Sequence, residues 1–214
     1  MHIPDGFLDT KTWSSLAVAS GAVMAVALSG KAKRISEEQV PLMGVAAAFI
    51  FAAQMINLPV AGGTSGHFMG AMLAAILLGP WAAFLIMATV LIVQCLVFQD
   101  GGLLALGANI FNMGVVAVGS GWLVYNLAKR LMTTEKWWRI GSFSGAWISI
   151  VLSAAVVAVE LSLSGAVALR QALPAMVGVH AIIGLVEGVI TLAVLEFIYK
   201  VRPDLLTFGG AADE

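Results

Sequence analysis

The sequence contains few charged residues and a single cysteine. Of its 214 residues, 11% are charged and 60% are hydrophobic, with a mean hydropathy of +0.98. Soluble domains contain about 25% charged and about 45–50% apolar residues, so the composition excludes a soluble enzyme, a disordered linker and a nucleic-acid-binding protein. The one cysteine, Cys95, excludes a disulfide framework and a thiolate metal cluster. The sequence also lacks a P-loop, so we do not expect this chain to hydrolyse ATP.

Apolar runs separated by short polar or turn-rich segments predict an all-α, polytopic membrane helix bundle in the lipid bilayer. A membrane-spanning helix needs roughly 20 apolar residues. The seven predicted transmembrane helices cover residues 13–30, 42–57, 68–79, 81–98, 103–128, 140–163 and 173–199. The third run would reach only about 18 Å as a helix, against a hydrocarbon core of about 30 Å, so the third and fourth could instead form a re-entrant pair.

The charges in the loops predict the orientation of the bundle. With the N-terminus outside, nine of the eleven Lys and Arg residues fall in cytoplasmic segments, and only Lys11 and Arg170 face outward. This bias follows the positive-inside rule and places the C-terminus in the cytoplasm. We therefore expect one transmembrane domain over residues 1–214, with an extracellular N-terminal tail at 1–12, a helix bundle at 13–201 and a cytoplasmic tail at 202–214.

A cleavable signal peptide is the alternative interpretation of residues 1–30. Signal peptides carry their basic residues before the apolar run. Here Lys31, Lys33 and Arg34 follow the run instead, which favours a retained first helix.

In this topology three segments meet at the outer face, and two of the three histidines of the chain lie in them. The segments are the tail Met1–Phe7, the loop at 58–68 and the turn Gln99–Gly102; the histidines are His2 and His67. We expect irregular backbone in the loop at 58–68, which a membrane tolerates only where it is buried in protein or lines a polar cavity.

A histidine at position 2 can chelate a metal ion together with the terminal amine. The α-amine, the His2 backbone nitrogen and the His2 Nδ1 atom close a five-membered and a six-membered ring around one ion, and His67 is the candidate for a fourth nitrogen. Square-planar nitrogen ligation points to Ni(II) or Cu(II). The alternative is that His2 is an inert tail residue and that His67 is only hydrogen-bonded.

The same residues resemble a known family. Two segments resemble the substrate-specific (S) components of nickel and cobalt energy-coupling factor (ECF) transporters, the NikM/CbiM family: Met1-His2-Ile3-Pro4-Asp5-Gly6-Phe7-Leu8 and Gly63-Thr64-Ser65-Gly66-His67-Phe68-Met69-Gly70. Downstream segments that resemble the same family are Asp100-Gly101-Gly102, Gly107-Ala108-Asn109-Ile110-Phe111-Asn112-Met113-Gly114 and His180-Ala181-Ile182-Ile183-Gly184-Leu185-Val186-Glu187. The resemblance covers essentially the whole chain.

The resemblance implies a seven-helix component that captures divalent nickel or cobalt outside a prokaryotic cell, from its plasma membrane. It implies four nitrogen donors, which are the Met1 amine, the His2 amide and Nδ1, and the His67 side chain. It also implies three kinds of partner: a transmembrane coupling (T) subunit, two cytoplasmic ATPase (A) subunits and a small accessory membrane subunit.

The choice between nickel and cobalt depends on the first residues of the chain. The opening Ile3-Pro4-Asp5-Gly6 resembles the nickel members of the family more than the cobalt members. Square-planar nitrogen ligation also suits Ni(II) better than Co(II). We therefore expect Ni2+ as the transported substrate, with Co2+ for cobalamin supply as the alternative.

Other polar residues are candidates for support of the site. Metal-binding imidazoles usually donate their free N–H to an acceptor, and the candidates are Thr64, Ser65, Gln94, Asp100, Asn109 and Asn112. Asp5 either offsets the charge of the ion or caps the first helix. His180 and Glu187 share one face of the last helix, where they line an inward path for the ion or fix helix packing. Glu160 and Glu196 are expected to reach the interfaces.

Two other functions stay open on the residues alone. A stand-alone permease could exchange a divalent cation for protons through His180 and Glu187. A membrane scaffold would use its histidines only for structure.

Overall fold

A computed structural model describes residues 1–31, 35–60, 64–134 and 136–206, without the side chains of Lys31 and Thr64. The fold is an all-α bundle, as predicted. Its seven helices are α1 (Thr10–Val26, continued by a π-helical turn at Ala27–Lys31), α2 (Gln39–Gln54), α3 (Ala71–Leu78), α4 (Pro80–Phe98), α5 (Leu106–Leu131), α6 (Trp137–Leu163) and α7 (Leu169–Val201), followed by a 3-10 turn at Pro203–Leu205.

Five of the described helices are long and apolar enough to cross a membrane: α1 with its π-helical turn, α4, α5, α6 and α7. Helix α2 is shorter, with 16 residues. Large apolar side chains on the outside of the bundle are open to the surroundings; Val18 and Leu163 are 74% and 73% exposed. The chain is therefore a multi-pass membrane protein.

The predicted third span at 68–79 is only partly helical. Helix α3 has 8 residues and is about 12 Å long, so it does not cross a membrane alone. It ends at Gly79, whose φ of +85° breaks the helix, and Pro80 starts α4 at the position where proline is favoured. Helix α4 has 19 residues and is long and apolar enough to cross by itself, which argues against a re-entrant pair of α3 and α4.

Two short strands replace part of the irregular backbone expected at 58–68. Strands β1 (Leu58–Val60) and β2 (Thr64–Gly66) pair antiparallel, with Pro59 opposite Ser65. Both strands lie between α2 and α3 and lead the chain to His67. The prediction of an irregular loop is therefore wrong for these six residues, while Gly62 and Gly63 lie outside the described residues.

The first helix begins three residues before the predicted span at 13–30. Helix α1 begins at Thr10 because Asp9 caps it: the Asp9 carboxylate accepts a hydrogen bond from the Thr12 N–H at 2.8 Å. A side-chain oxygen at this position satisfies a backbone donor that the first helical turn leaves free.

Basic residues of the described chain gather at the end of the bundle away from the N-terminal tail. Helix α5 starts beside the tail and ends with Lys129 and Arg130. At the same end, Arg139 at the start of α6 pairs with Glu196 near the end of α7 through both carboxylate oxygens. The charge separation agrees with the predicted orientation, which itself stays a prediction; Lys33 and Arg34 lie outside the described residues.

Candidate metal centre

The N-terminal tail folds back into the bundle, and its first residues are buried. Met1 and Ile3 have no exposed surface, and His2 is 4% exposed. Asn109 of α5 holds the backbone of Ile3 in both directions, since its Oδ1 accepts from the Ile3 N–H at 2.9 Å and its Nδ2 donates to the Ile3 carbonyl at 3.2 Å. The Gly102 N–H also donates to that carbonyl, at 2.9 Å. The tail is thereby fixed as part of the core.

Asp5 anchors the tail to the start of α5. Its carboxylate accepts hydrogen bonds from the N–H groups of Leu103, Leu104 and Ala105, at 3.0, 2.8 and 3.3 Å. These are donors of the kind that the start of a helix leaves without a partner. Asp5 therefore caps the turn before α5, and the alternative in which it caps α1 is wrong.

The close contact between Asp5 and the turn after α4 depends on a glycine. A Cβ atom at Gly102 would lie 2.3 Å from the backbone nitrogen of Asp5 and 2.2 Å from its Oδ1 atom. Only a residue without a side chain fits at this distance. Gly102 is thus part of the surface on which the tail docks.

The structure brings His2 and His67 together. Their rings stack with centroids 4.6 Å apart and planes inclined by 24°. The His2 Nε2–H donates to Gln94 Oε1 at 3.0 Å, and the His67 Nδ1–H donates to the Phe68 carbonyl at 2.7 Å. The other ring nitrogens, His2 Nδ1 and His67 Nε2, are buried and have no hydrogen bond within the described parts of the chain. Each ring therefore presents one free lone pair.

The terminal amine lies beside this pair of rings and donates to Ser65 Oγ at 3.1 Å. Burial lowers the pKa of the Met1 amine to about 4, against the opposing effect of Asp100. Burial and the nearby amine lower the pKa of His2 to about 3 and also lower that of His67, well below its usual value. Because burial disfavours the charged forms, all three groups are neutral at pH 7 and carry lone pairs.

Asp100 faces this group of nitrogens from the turn after α4. Its Oδ1 lies 3.3 Å from His2 Nδ1. Since His2 is neutral at pH 7, this contact is not a salt bridge. Asp100 and His2 also line a cavity of about 600 Å3 at the surface of the bundle, so the site is reached through an open space with a carboxylate beside it.

Two buried side chains hold the segment that follows His67. The Glu187 carboxylate accepts from the N–H groups of Met69 and Gly70 at 2.5 and 2.9 Å, and Gln54 Nε2 donates to the Met69 carbonyl at 2.9 Å. Neither contact was predicted, because each joins residues far apart in the sequence. A carboxylate with two bound N–H groups serves to position the His67 loop, and this argues against a proton carrier.

His180 and Glu187 do not form the inner polar pair that was considered. The neighbours of His180 on α7, Val179 and Ile183, pack directly against Gly66 of β2. His180 therefore lies at the same end of the bundle as His67. Its Nδ1 is hydrogen-bonded to the Met176 carbonyl at 2.7 Å, and its ring also interacts with the backbone of Ser65 in β2.

The other predicted supporting residues divide into two groups. Ser65, Gln94, Asp100 and Asn109 contact the tail or its histidine, as described above. Asn112 does not: it lies in a π-helical turn of α5, and its Nδ2 donates to Glu160 Oε2 at 2.7 Å inside the bundle. Glu160 is therefore buried, contrary to the expectation that it reaches an interface. The side chain of Thr64 lies outside the described residues.

No group of three or more His, Cys, Asp or Glu side chains suited to a metal ion occurs in the described ranges. The Met1 amine and the His2 backbone nitrogen are the main-chain nitrogens next to the two free imidazole lone pairs.

The fold and the site define a multi-pass membrane protein with a cluster of buried, neutral nitrogens at its N-terminus. Comparison with known proteins identifies the family. Residues 2–205 match the family CbiM, described as a cobalt uptake substrate-specific transmembrane region, and the chain belongs to this family.

Named relatives include nickel and cobalt transport proteins. The chain is 43% identical to the "Putative fused nickel transport protein NikMN" of Archaeoglobus fulgidus, over 96% of this chain and 68% of that protein. It is 32% identical to the cobalt transport protein CbiM of Sorangium cellulosum, over 96% of this chain and 94% of that one. A crystal structure of a truncated transition metal transporter superposes with a TM-score of 0.88 at 36% identity, covering 94% of this chain and 99% of that one. The chain is therefore a membrane component of metal uptake.

Proposed function

We propose that this chain is the nickel-binding S component of an ECF-type, ATP-driven transporter and that it captures Ni2+ at the outer face. The observation that carries the proposal is the pair of stacked imidazoles, each with one buried and unpaired nitrogen, beside a buried terminal amine. Buried polar atoms normally have hydrogen-bond partners. Unpaired nitrogens in one place favour a site for a ligand that accepts their lone pairs, and imidazole nitrogen suits nickel.

Four nitrogens make up the proposed site: the Met1 amine, the His2 amide and Nδ1, and His67 Nε2. The second nitrogen of each ring is held by an acceptor, Gln94 Oε1 for His2 and the Phe68 carbonyl for His67. Such contacts set the tautomer and the orientation of a metal-binding imidazole. In both rings the fixed tautomer leaves the free lone pair on the nitrogen that the site requires.

Nickel is the proposed ion in preference to cobalt. The relatives include proteins named for each metal, so the family alone does not separate them. A deprotonated amide together with three further nitrogens favours a square-planar arrangement, which suits Ni(II). The alternative is the same role for Co2+.

We propose that the driving force comes from other chains: a transmembrane coupling (T) subunit, two cytoplasmic ATPase (A) subunits and a small accessory membrane subunit. The absence of a P-loop from this sequence supports ATP hydrolysis by partners.

The proposed site is tested by the nickel affinity of His67→Ala protein purified in detergent. We expect the loss of tightly bound nickel, because the variant removes one of four donors, and the wild type should hold one nickel ion per chain. Calorimetric titration with Ni2+ measures the affinity.

The matched control is His180→Gln, which removes the third imidazole at the same end of the bundle. His180 is not one of the four proposed donors, so this variant should bind nickel within a few-fold of the wild type. Tight binding by the His67→Ala protein, or loss confined to the His180→Gln protein, would show that the donor set is wrong.

Proton release gives a second test at pH 7. Because the amine and His2 have pKa values of about 4 and 3 in the docked tail, they carry no proton to lose, and only the amide proton should leave, about one per nickel ion. A solvated tail, with an amine pKa of about 7.7–8.0 and imidazole pKa values of about 6.5, would release about two or more.

The apparent nickel affinity should accordingly fall about tenfold per pH unit between pH 8 and pH 6. Protonation of the amine and His2 would steepen the pH dependence of the nickel affinity only as the pH approaches the lowered pKa values of these groups. Titrations in buffers of different ionisation enthalpy count the protons released. A count near two at pH 7 would contradict a docked tail in the metal-free protein.

A further inference from the structure

Two carboxylates, Asp5 and Asp100, line the outer cavity of about 600 Å3, and only one of them is free to meet a cation. The Asp5 oxygens accept three backbone N–H groups, as described above. The Asp100 carboxylate has no N–H donor among the described residues, because the His2 nitrogen beside it, Nδ1, is the one that carries no proton. Asp100 is thus a half-buried negative charge that nothing else in the described chain neutralises.

The turn that carries Asp100 is built to hold it next to His2. Gln99 before it has a φ of +55°, and Gly101 after it has a φ of +93°, so the chain reverses direction tightly at the end of α4. The Asp100 N–H is bonded to the Gln94 carbonyl at 3.0 Å, and the Gln94 side chain is bonded to His2 Nε2 at 3.0 Å. One residue of α4 therefore fixes the position of both groups.

Asp100 is also the group that faces the free nitrogen of His2. Its Oδ1 lies 3.3 Å from His2 Nδ1, and both residues line the outer cavity. A cation bound to this carboxylate would lie next to its first nitrogen donor, His2 Nδ1.

We propose that Asp100 captures the hydrated divalent cation in the outer cavity and passes it to His2 Nδ1. This rests on the proposed function and adds to it a residue that acts before the nitrogens bind. A carboxylate attracts a hydrated divalent cation over several ångströms and raises its local concentration. The nitrogen donors then replace the water ligands of the ion, and the carboxylate is not needed in the final square-planar site.

The proposal predicts an effect on the association rate and little effect on dissociation. Asp100→Asn keeps the shape of the side chain and removes its charge. For a divalent ion about 7 Å away in water, the loss of one negative charge lowers the local concentration roughly tenfold. We expect nickel to associate with Asp100→Asn about tenfold more slowly at low ionic strength, in stopped-flow mixing of Ni2+ with protein in detergent.

Two further measurements distinguish a capture role of Asp100 from a structural role. The difference between the variant and the wild type should shrink in about 1 M salt, since charges beyond a few ångströms are then screened. The dissociation rate, measured by transfer of nickel to a chelator, should stay within about twofold of the wild type.

Asp9→Asn is the matched control, because it removes one negative charge at the same end of the bundle. Asn caps a helix about as well as Asp, so α1 should be unaffected, and the association rate should equal that of the wild type. Equal association rates for Asp100→Asn and wild type, or a change confined to dissociation, would overturn the capture role while leaving the nitrogen site intact. A wild-type protein that binds no nickel would overturn both.

Discussion

A protein carrying a short peptide in front of Met1 is expected to bind nickel at least about a thousandfold more weakly than the native chain. The extension turns the terminal amine into an amide and so removes one donor. The folded protein also leaves no space for the added peptide, because Met1 is fully buried and its amine is hydrogen-bonded to Ser65 Oγ. A thousandfold loss corresponds to about 4 kcal/mol of binding free energy.

The same preparation can serve as its own control. A leader that a protease removes directly in front of Met1 allows nickel affinity to be measured before and after cleavage on one sample. We expect tight binding to appear only after cleavage, which separates the loss of the amine from misfolding. An equal extension at the C-terminus should leave the affinity unchanged. Tight binding by the uncleaved protein would exclude the terminal amine as a donor.

The sequence predicts those parts of the fold that follow from local composition. Long apolar runs mark the helices that can cross a membrane, since nothing else in a chain accounts for 20 consecutive apolar residues. The meeting of His2 with His67 was predicted from the loop order, because alternate loops of a helical bundle lie at the same end. The stacking of the two rings confirms that meeting.

Other features depend on tertiary contacts that no periodicity reveals. Asp5 accepts hydrogen bonds from N–H groups of the turn before α5, about a hundred residues away in the sequence. Helix α3 is short because the segment before it carries His67 and is held by Gln54 and Glu187, so its backbone bonds go to side chains of other helices. A buried backbone group must find some partner, but the sequence does not say which.

The residues whose positions were predicted wrongly, Glu160 and His180, also depend on tertiary contacts. Glu160 lies near the end of its helix, and position alone suggested an interface. The π-helical turn of α5 instead places Asn112 so that its amide meets the Glu160 carboxylate inside the bundle. His180 was considered as one of an inner polar pair, and its distance from the site could not be judged without the packing of β2 on α7.

The second large loss of nickel affinity is expected from Gly102→Ala, because this variant would prevent the tail from docking. The added methyl group would lie 2.3 Å from the backbone nitrogen of Asp5, so the tail and the turn could not approach as they do. We expect the Asp5 cap and the Gly102–Ile3 hydrogen bond to be lost together and the nickel affinity to fall about a hundredfold, measured by calorimetry. Asp5 and Gly102 both lie outside the helices, so helix content by circular dichroism should not change.

A double variant distinguishes backbone from side-chain crowding at this contact. Asp5→Ala would remove the Oδ1 atom that lies 2.2 Å from the added methyl group, but not the Asp5 backbone nitrogen. Gly102→Ala should therefore not be rescued by Asp5→Ala. Gly119→Ala, where an added Cβ meets nothing within 4 Å, is the control and should bind nickel like the wild type. If Gly102→Ala bound nickel normally, the site would not require the docked tail, and the amine would lose its place among the donors.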